Sequence, residues 1–325
     1  MKFTCKSSDL QKSVGVVEKA ISSRTNLPIL ENVYLELTEQ HLILRGHDLE
    51  IGVEHVMTVN TIEATGKVLV KSKTFSSILA KLGHDELSIE VKDSKMVIST
   101  PNVDFDILCM SSDEYPVFPQ IESGITVVKR IEDISDLIKH TLFSASFDET
   151  KHFLNGVLMK NEDDYLYFVA TDGYRLALKR AEVGVLDQQF SVIVPYKAMN
   201  EWSKIAQGYS AETEVELTIS ENQVVFKLDD TILLSRVIKG QFPDYKQVLP
   251  KETDNQVMVS RRQLLDASER ASIIASASNN VVRFSFDGDD VDIVANAPTM
   301  GDFKERLNLV RNKGDESVKI AFNVR

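Results

Sequence analysis

The sequence VLVKSK at residues 68–73 reads as a short apolar strand that runs directly into a helix. The same pattern returns as VIVPYK at residues 192–197 and again as VKIAFN at residues 318–323. The two intervals, 124 and 126 residues, match the length of a whole domain rather than that of a solenoid repeat. The sequence therefore predicts three tandem copies of one domain.

Each copy combines strand patterns with helical patterns. Residues 214–220 (EVELTIS) alternate polar and apolar side chains, which is typical of a half-buried strand. Apolar residues at helical spacing predict five helices, with Asp9 and Ser260 as helix-start residues. The predicted helices cover residues 8–21, 72–82, 131–143, 196–207 and 260–276. This order indicates an α+β fold of antiparallel sheets with helices on one face.

Two polar, turn-rich connectors, near Val127 and Val257, separate the copies. By the spacing of the first two copies, the third would extend to about residue 375. We therefore expect the chain to contain only the N-terminal half of a third domain. The predicted domains cover residues 1–126, 127–256 and 257–325.

The bulk composition indicates a cytoplasmic protein. The 325 residues contain no run of 18 apolar residues, so we expect no membrane span, and the first residues lack the apolar core of a signal peptide. The two cysteines, Cys5 and Cys109, lie in strand-like runs, where we expect buried free thiols. The formal net charge of −12, taken alone, argues against nucleic-acid binding.

The distribution of charge, in contrast to the total, is compatible with nucleic-acid binding. Over the five predicted helices the basic residues exceed the acidic ones by two, so the remaining sequence carries −14. One interpretation is a helical face that meets a polyanion. The other is that lysine and arginine simply favour helices. The counts alone leave both interpretations open.

No motif for catalysis is present in the sequence. It contains no phosphate-binding glycine loop, no dinucleotide fingerprint and no nucleophile elbow, and its six histidines lack metal-ligand spacing. The acidic clusters at residues 162–164, 229–230 and 289–290 each fall between strand patterns, where solvated turns are expected. We therefore expect no catalytic residue, no metal and no cofactor.

Several motifs carry a family resemblance. They are RTNLPIL at residues 24–30, LNGV at 154–157, ATDGYRLA at 170–177, QFPDY at 241–245 and LP at 249–250. In this order, and on the observed repeat, they resemble the bacterial DNA sliding clamp, the beta subunit of DNA polymerase III. The resemblance covers essentially the whole chain.

The resemblance implies three clamp domains per chain, with sheets outside and helices lining the inner face. Two chains would close head to tail into a homodimeric ring around duplex DNA. The ring would bind DNA without regard to sequence and tether the replicative polymerase, the clamp loader and repair proteins through short peptides. By the same resemblance and by helix position, the DNA-binding candidates are Lys12, Arg24, Lys73, Lys81, His152, Phe153, Lys197 and Lys204.

The resemblance also implies a pocket for partner peptides and a dimer interface. The pocket candidates are Leu154, Thr171, Gly173, Tyr174, Arg175, Leu176, Pro243 and Val248. Tyr174 stands where relatives often have His, and Gln247 stands where many have Arg. The dimer candidates are Phe105 and Ile107 on the first domain, facing Ile273 and Ile274 on the partner's third domain.

Two alternatives to a closed clamp remain at this stage. A truncated or non-closing clamp paralogue could act as a partner-binding scaffold. An unrelated enzyme built of repeated α+β domains would show turnover of a nucleotide or DNA substrate.

Overall fold

The structure is a computed structural model, and it describes residues 1–22, 25–83, 86–120, 122–186, 188–314 and 317–324. The chain divides into two compact units, Met1–Phe242 and Pro243–Arg325. The first unit holds two copies of the repeat and the second unit holds one.

In the residues that the structure describes, the first copy of the repeat contains nine strands and two α-helices. They are β1 (Lys2–Lys6), α1 (Ser7–Val17), β2 (Asn32–Leu37), β3 (Leu42–His47), β4 (Ile51–Met57), β5 (Thr61–Ala64), β6 (Gly66–Lys71), α2 (Ser72–Leu79), β7 (Glu86–Lys92), β8 (Lys95–Ser99) and β9 (Asp104–Met110).

The second copy follows the same order, without a counterpart of β5 among its described residues. It contains β10 (Ile125–Arg130), α3 (Ile131–Lys139), β11 (Gly156–Glu162), β12 (Tyr165–Thr171), β13 (Leu176–Glu182), β14 (Ser191–Pro195), α4 (Tyr196–Ala206), β15 (Glu214–Ile219), β16 (Gln223–Lys227) and β17 (Thr231–Arg236).

The second unit begins the same order once more. It contains β18 (Gln256–Met258), α5 (Arg261–Ala275), β19 (Val281–Asp287), β20 (Asp290–Ala297), β21 (Gly301–Asn308), β22 (Val310–Lys313) and β23 (Val318–Asn323). The strands that open the second and third copies start at Ile125 and Gln256, one or two residues before the boundaries that the sequence indicated.

Strand pairing follows the repeat that the sequence predicted. Asn32 of β2 lies opposite Lys71 of β6, and Gly156 of β11 lies opposite Pro195 of β14. In the second unit, β19 pairs with β23 in the same antiparallel sense. The three apolar segments that begin at residues 68, 192 and 318 therefore occupy corresponding strands. The predicted α+β fold of antiparallel sheets and helices is confirmed.

Strand pairing also joins the first two copies into one sheet. Strand β4 of the first copy pairs with β17 of the second along five residues, from Thr231 opposite His55 to Ser235 opposite Ile51. Counted over the described residues, the resulting sheet has 13 strands. A single buried apolar cluster then extends through both copies, while the second unit has a separate cluster around Ala267, Ala271 and Ile293.

The helices pack one apolar face on the sheets. In α1, Leu10, Val14 and Val17 are buried, as their spacing predicts. The prediction of Asp9 as the helix-start residue was wrong. Helix α1 begins at Ser7, and the residue before it, Lys6, makes no side-chain cap. Asp9 instead lies within the first turn, where its charge complements the helix dipole. Ser260 does cap α5, since its Oγ accepts from the backbone N–H of Gln263.

Several helices are shorter than their apolar spacing suggested. Helix α2 ends at Leu79 and α3 ends at Lys139, because the chain turns out of the helix before the last apolar residues. Lys81 consequently lies in the turn after α2 and not on the helix. In contrast, α4 and α5 end within one residue of the prediction.

Both cysteines are buried, in β1 and β9, as expected. Burial raises the pKa of the Cys5 thiol to about 12, so this group stays protonated and unreactive at neutral pH. Among the described residues, no helix is long and apolar enough to cross a membrane.

Candidate nucleic-acid interface and peptide site

Three of the predicted DNA-binding lysines are exposed near α1 and α2. Lys12 lies on α1, Lys73 lies in the first turn of α2, and Lys81 follows that helix. None of the three forms an ion pair with any other residue in the described ranges. Lys73 and Lys81 line a shallow cavity of about 470 Å³ together with Ile78 and Phe105. Their ammonium groups are therefore available to a polyanion.

The two predicted lysines of α4 differ, because both are already paired. Lys197 forms an ion pair with Asp48, which comes from the β3–β4 turn of the first copy and has a side chain only 10% exposed. Lys204 pairs with Glu201 one turn earlier in α4, at 2.7 Å. Arg24 lies outside the described residues. The free lysines and the paired lysines thus fall in different copies of the repeat.

His152 and Phe153 lie in Glu149–Leu154, a segment of two short 3-10 turns with a kink at Lys151. The Asp148 side chain caps this segment by accepting from Thr150 N–H at 2.9 Å. The two rings meet edge to face with centroids 5.7 Å apart. The segment therefore holds both rings in a defined arrangement.

Sequence reasoning missed an exposed aromatic residue beside this segment. Phe147 is 72% exposed, and its ring packs edge to face on Tyr196 at the start of α4, with centroids 4.8 Å apart. A large aromatic residue within a polar connector was the available signal. Next to it, α3 and α4 flank an open groove of about 720 Å³ that includes the exposed Phe143.

The ATDGYRLA motif forms the tight turn between β12 and β13. The Asp172 carboxylate accepts from the backbone N–H groups of Tyr174 at 2.9 Å and Arg175 at 3.0 Å. Thr171 Oγ1 accepts from Gly173 N–H and donates to the carbonyl of Arg175. Gly173 adopts a φ of +94°, a left-handed conformation that glycine tolerates without a steric cost.

These bonds fix an exposed aromatic residue at the tip of the turn. Tyr174 is 97% exposed, and the Arg175 guanidinium is tied to Asp172 at 3.0 Å. Burial tends to raise the pKa of the Asp172 carboxyl, but the bonds from Arg175 and Tyr174 outweigh this effect and keep the pKa below its ordinary value. Asp172 is therefore ionised at neutral pH and holds the turn in one shape.

The first copy repeats the geometry of this turn. Asp48 accepts from the backbone N–H groups of Glu50 and Ile51, and Leu49 has a φ of +77° in the position that Gly173 occupies in the second copy. In the first copy the turn is engaged by Lys197. The turn of the second copy is the one that presents an exposed tyrosine.

The remaining pocket candidates differ in accessibility. Leu154 is only 4% exposed, so it supports the site from beneath, whereas Leu176 is partly exposed at the start of β13. Pro243 and Val248 belong to the second unit, where both are exposed. Gln247 Nε2 donates to the Asp244 carboxylate at 3.0 Å.

The predicted dimer residues lie on two different elements. Phe105 and Ile107 are half-buried in β9, whose residues 104–108 pair with β8 on one side. Within the described chain, β6 reaches only Cys109 and Met110 on the other side, so most of that edge of β9 is unpaired. On α5 of the second unit, Ile273 is exposed and Ile274 is half-buried.

The tandem copies of one antiparallel α+β module place the chain in the class of DNA clamps, since three clamp domains match it in succession. The sequence matches three domains described for the DNA polymerase III beta subunit: the N-terminal domain over residues 1–119, the central domain over 130–244 and the C-terminal domain over 246–325. The chain belongs to the DNA polymerase III beta subunit family.

Curated relatives and solved structures agree with this assignment. The Beta sliding clamp of Bacillus subtilis (strain 168) is 32% identical over 334 residues, covering 99% of this chain and 88% of its own length. The Beta sliding clamp of Synechococcus elongatus is 31% identical, covering 100% and 88%. A putative DNA polymerase III beta subunit from Eubacterium rectale superposes with a TM-score of 0.92 at 29% identity, covering 100% of this chain and 88% of that chain.

Proposed function

We propose that this chain is a DNA sliding clamp, a processivity factor that encircles duplex DNA and tethers the replicative polymerase. The observation that carries the proposal is the 32% identity to a curated Beta sliding clamp over 99% of the chain. The free lysines near α1 and α2 support it, because they offer weak contacts to phosphates. A role of enclosure and tethering needs no catalytic group, and work on chromosomal DNA would place the protein in the cytoplasm.

The acidic net charge is compatible with this role. A ring is retained on DNA by topology, so it does not need tight binding to phosphates. Contacts from a few exposed lysines are screened at physiological salt, which lets the ring slide. An excess of acidic residues elsewhere on the chain would keep DNA away from the other surfaces.

We further propose that the ring is a head-to-tail homodimer. The unpaired edge of β9 beside Phe105 and Ile107 offers backbone groups to a second chain. The exposed Ile273 on α5 is the apolar residue proposed to meet it. Sizing in solution should then show twice the 36.5 kDa mass of one chain.

The proposed peptide site is the turn of the second copy with the residues around it. An exposed tyrosine held on a rigid turn next to Leu176 suits a short extended peptide with one or two hydrophobic anchors. Replication and repair partners would compete for this site through such peptides.

The decisive experiment is topological. The protein is loaded onto singly nicked circular plasmid with its clamp loader and ATP, separated by gel filtration, and then the plasmid is cut once. We expect co-migration with the circle and release after linearisation. Retention that survives linearisation would contradict encirclement. A monomer that binds partner peptides but never stays on the circle would instead favour the non-closing scaffold.

A further inference from the structure

The β11–β12–β13 sheet carries a stacked guanidinium on the face opposite its core. On the core face, Phe168 of β12 is buried. On the other face, the Arg180 guanidinium carbon lies 4.1 Å from the centroid of the Tyr165 ring, and its Nη1 donates to Tyr167 Oη at 3.3 Å. The two tyrosines therefore hold the planar group in one orientation. We call Tyr165, Tyr167 and Arg180 the Arg180 platform.

The Arg180 guanidinium is exposed, and no carboxylate within the described ranges forms an ion pair with it. A guanidinium has five N–H donors in a flat fork, and the bond to Tyr167 uses only one of them. The neighbouring cation differs, since Lys160 pairs with Glu162 at 2.9 Å. The platform thus presents an oriented cation whose remaining donors match the two oxygens of a carboxylate.

The platform continues the proposed peptide site along β13. Cross-strand pairs place Thr171 opposite Leu176 and Tyr167 opposite Arg180, on one face of the sheet, with the partly exposed Leu178 between them. At about 3.3 Å per residue, Leu176 and Arg180 lie about 13 Å apart along the strand. An extended peptide of four residues covers this distance.

We propose that the Arg180 platform is an outer extension of the peptide site, and that it binds an acidic side chain in the partner segment flanking the hydrophobic anchors. This proposal rests on the proposed function. The position of the acid should be selective, because the next row of the sheet places Glu182 opposite Tyr165. An acid displaced by two residues would meet this like charge instead of the guanidinium.

Synthetic peptides can test the platform directly. The base peptide contains a Leu-Phe anchor, and its variants add a three-serine spacer and a Glu, or a matched Gln, before or after the anchor. Affinities at low salt are compared for the parent protein, Arg180→Ala, Arg180→Lys and Arg283→Ala. Arg283 is the matched control, because it is also an exposed strand arginine without an ion pair in the described chain.

For one of the two Glu peptides, we expect about three- to fivefold tighter binding than for its Gln partner, the range of an exposed ion pair. Arg180→Ala should remove this difference, Arg180→Lys should restore part of it, and Arg283→Ala should leave it unchanged. The advantage should also shrink as salt increases.

Several outcomes would overturn the platform. If Arg180→Ala weakens Glu and Gln peptides equally, or if neither Glu peptide gains affinity, the acidic contact does not exist. The proposed function would survive either result as long as Tyr174→Ala combined with Leu176→Ala still weakens binding of the base peptide at least tenfold. If the parent protein binds none of the peptides, both the peptide site and its extension are wrong.

Discussion

Asp172 is the residue on which the exposed turn of the second copy depends. Its carboxylate binds two successive backbone N–H groups and the Arg175 side chain. The ATDGYRLA motif predicts a peptide site at this turn, and the structure shows that the turn is ordered and exposed. The sequence could not predict that Leu154 would be nearly buried, because burial depends on strands that are distant in the chain.

At this turn we predict that Tyr174→Ala combined with Leu176→Ala weakens peptide binding at least tenfold, which corresponds to about 1.4 kcal/mol. Both side chains are at least partly exposed, so the free energy of unfolding should change little. Titration with a labelled partner peptide measures the affinity, and urea unfolding checks the fold. Unchanged affinity in a folded variant would remove this pocket assignment.

A second prediction concerns two glycines. A Cβ at Gly156 would lie 2.3 Å from the carbonyl oxygen of Val194, so Gly156→Ala should destabilise the protein by about 2–3 kcal/mol. At Gly15 in α1, a Cβ would meet nothing within 4 Å, so Gly15→Ala should stabilise by about 0.5–1 kcal/mol. Urea unfolding measures the stability of the two variants. If both substitutions change the free energy of unfolding equally, crowding of the new Cβ against the backbone does not determine the effect.

At the scale of elements, apolar spacing located the five α-helices of the described residues, and the period and polar alternation located several of the strands between them. Their ends were less predictable. Helix α2 stops at Leu79 although Leu82 continues the apolar spacing, because Leu82 is buried from the turn that follows the helix. An apolar pattern records which side chains face the core and not whether the backbone is helical.

Helices α2 and α4 should respond differently to charge reversal. We predict that Lys73→Glu slows loading onto DNA more at low salt than at high salt, because salt screens the attraction of a free lysine. Lys197→Glu should in addition lower the free energy of unfolding by about 1 kcal/mol, since it places a second carboxylate beside Asp48.

Asp48→Asn provides the control for this comparison. It removes the charge but keeps a side-chain oxygen that can accept from the backbone N–H groups of Glu50 and Ile51. Lys197→Glu should therefore cost less stability in the Asp48→Asn background than in the parent protein. An equal cost in both backgrounds would show that the Asp48–Lys197 pair makes no contribution. If loading by Lys73→Glu is independent of salt, Lys73 makes no electrostatic contact with DNA.

At the scale of the whole molecule, the joining of the first two copies is the feature that the sequence did not predict. The repeat suggested separate domains, yet β4 and β17 pair as neighbours although they lie about 180 residues apart. The apolar alternation of each strand indicated a sheet but not which strand would lie beside it. We call this pairing of β4 with β17 the seam, and only the folded chain reveals it.

The seam contains a buried histidine, and acid should therefore weaken it. His55 is nearly buried, and its Nδ1 lies 2.7 Å from Thr231 Oγ1 across the seam. Burial lowers the pKa of His55 below its ordinary value of about 6.5, although the charge of Asp230 opposes this effect. Below that pH the unfolded chain binds a proton that the folded chain resists.

We therefore predict that His55 contributes stability above about pH 6.5 that is lost as the pH falls through this value. Replacing it with a non-titrating residue, in His55→Gln, should reduce the loss between pH 7.5 and pH 5.5 by about 1 kcal/mol. Urea unfolding at the two pH values measures the difference. His47, whose pKa is also lowered by burial, remains in both proteins. If the parent protein and His55→Gln lose the same free energy of unfolding between the two pH values, His55 does not contribute to the acid sensitivity.

The pairing of β4 with β17 has a mechanical consequence. Flexing the first 242 residues at the peptide that links the two modules would require the ladder hydrogen bonds of these strands to break together. Bending must instead be distributed over the hydrogen-bonded strands across the width of the sheet. A force applied at one end of the sheet is therefore shared by many strands, and the connecting peptide carries little of the strain.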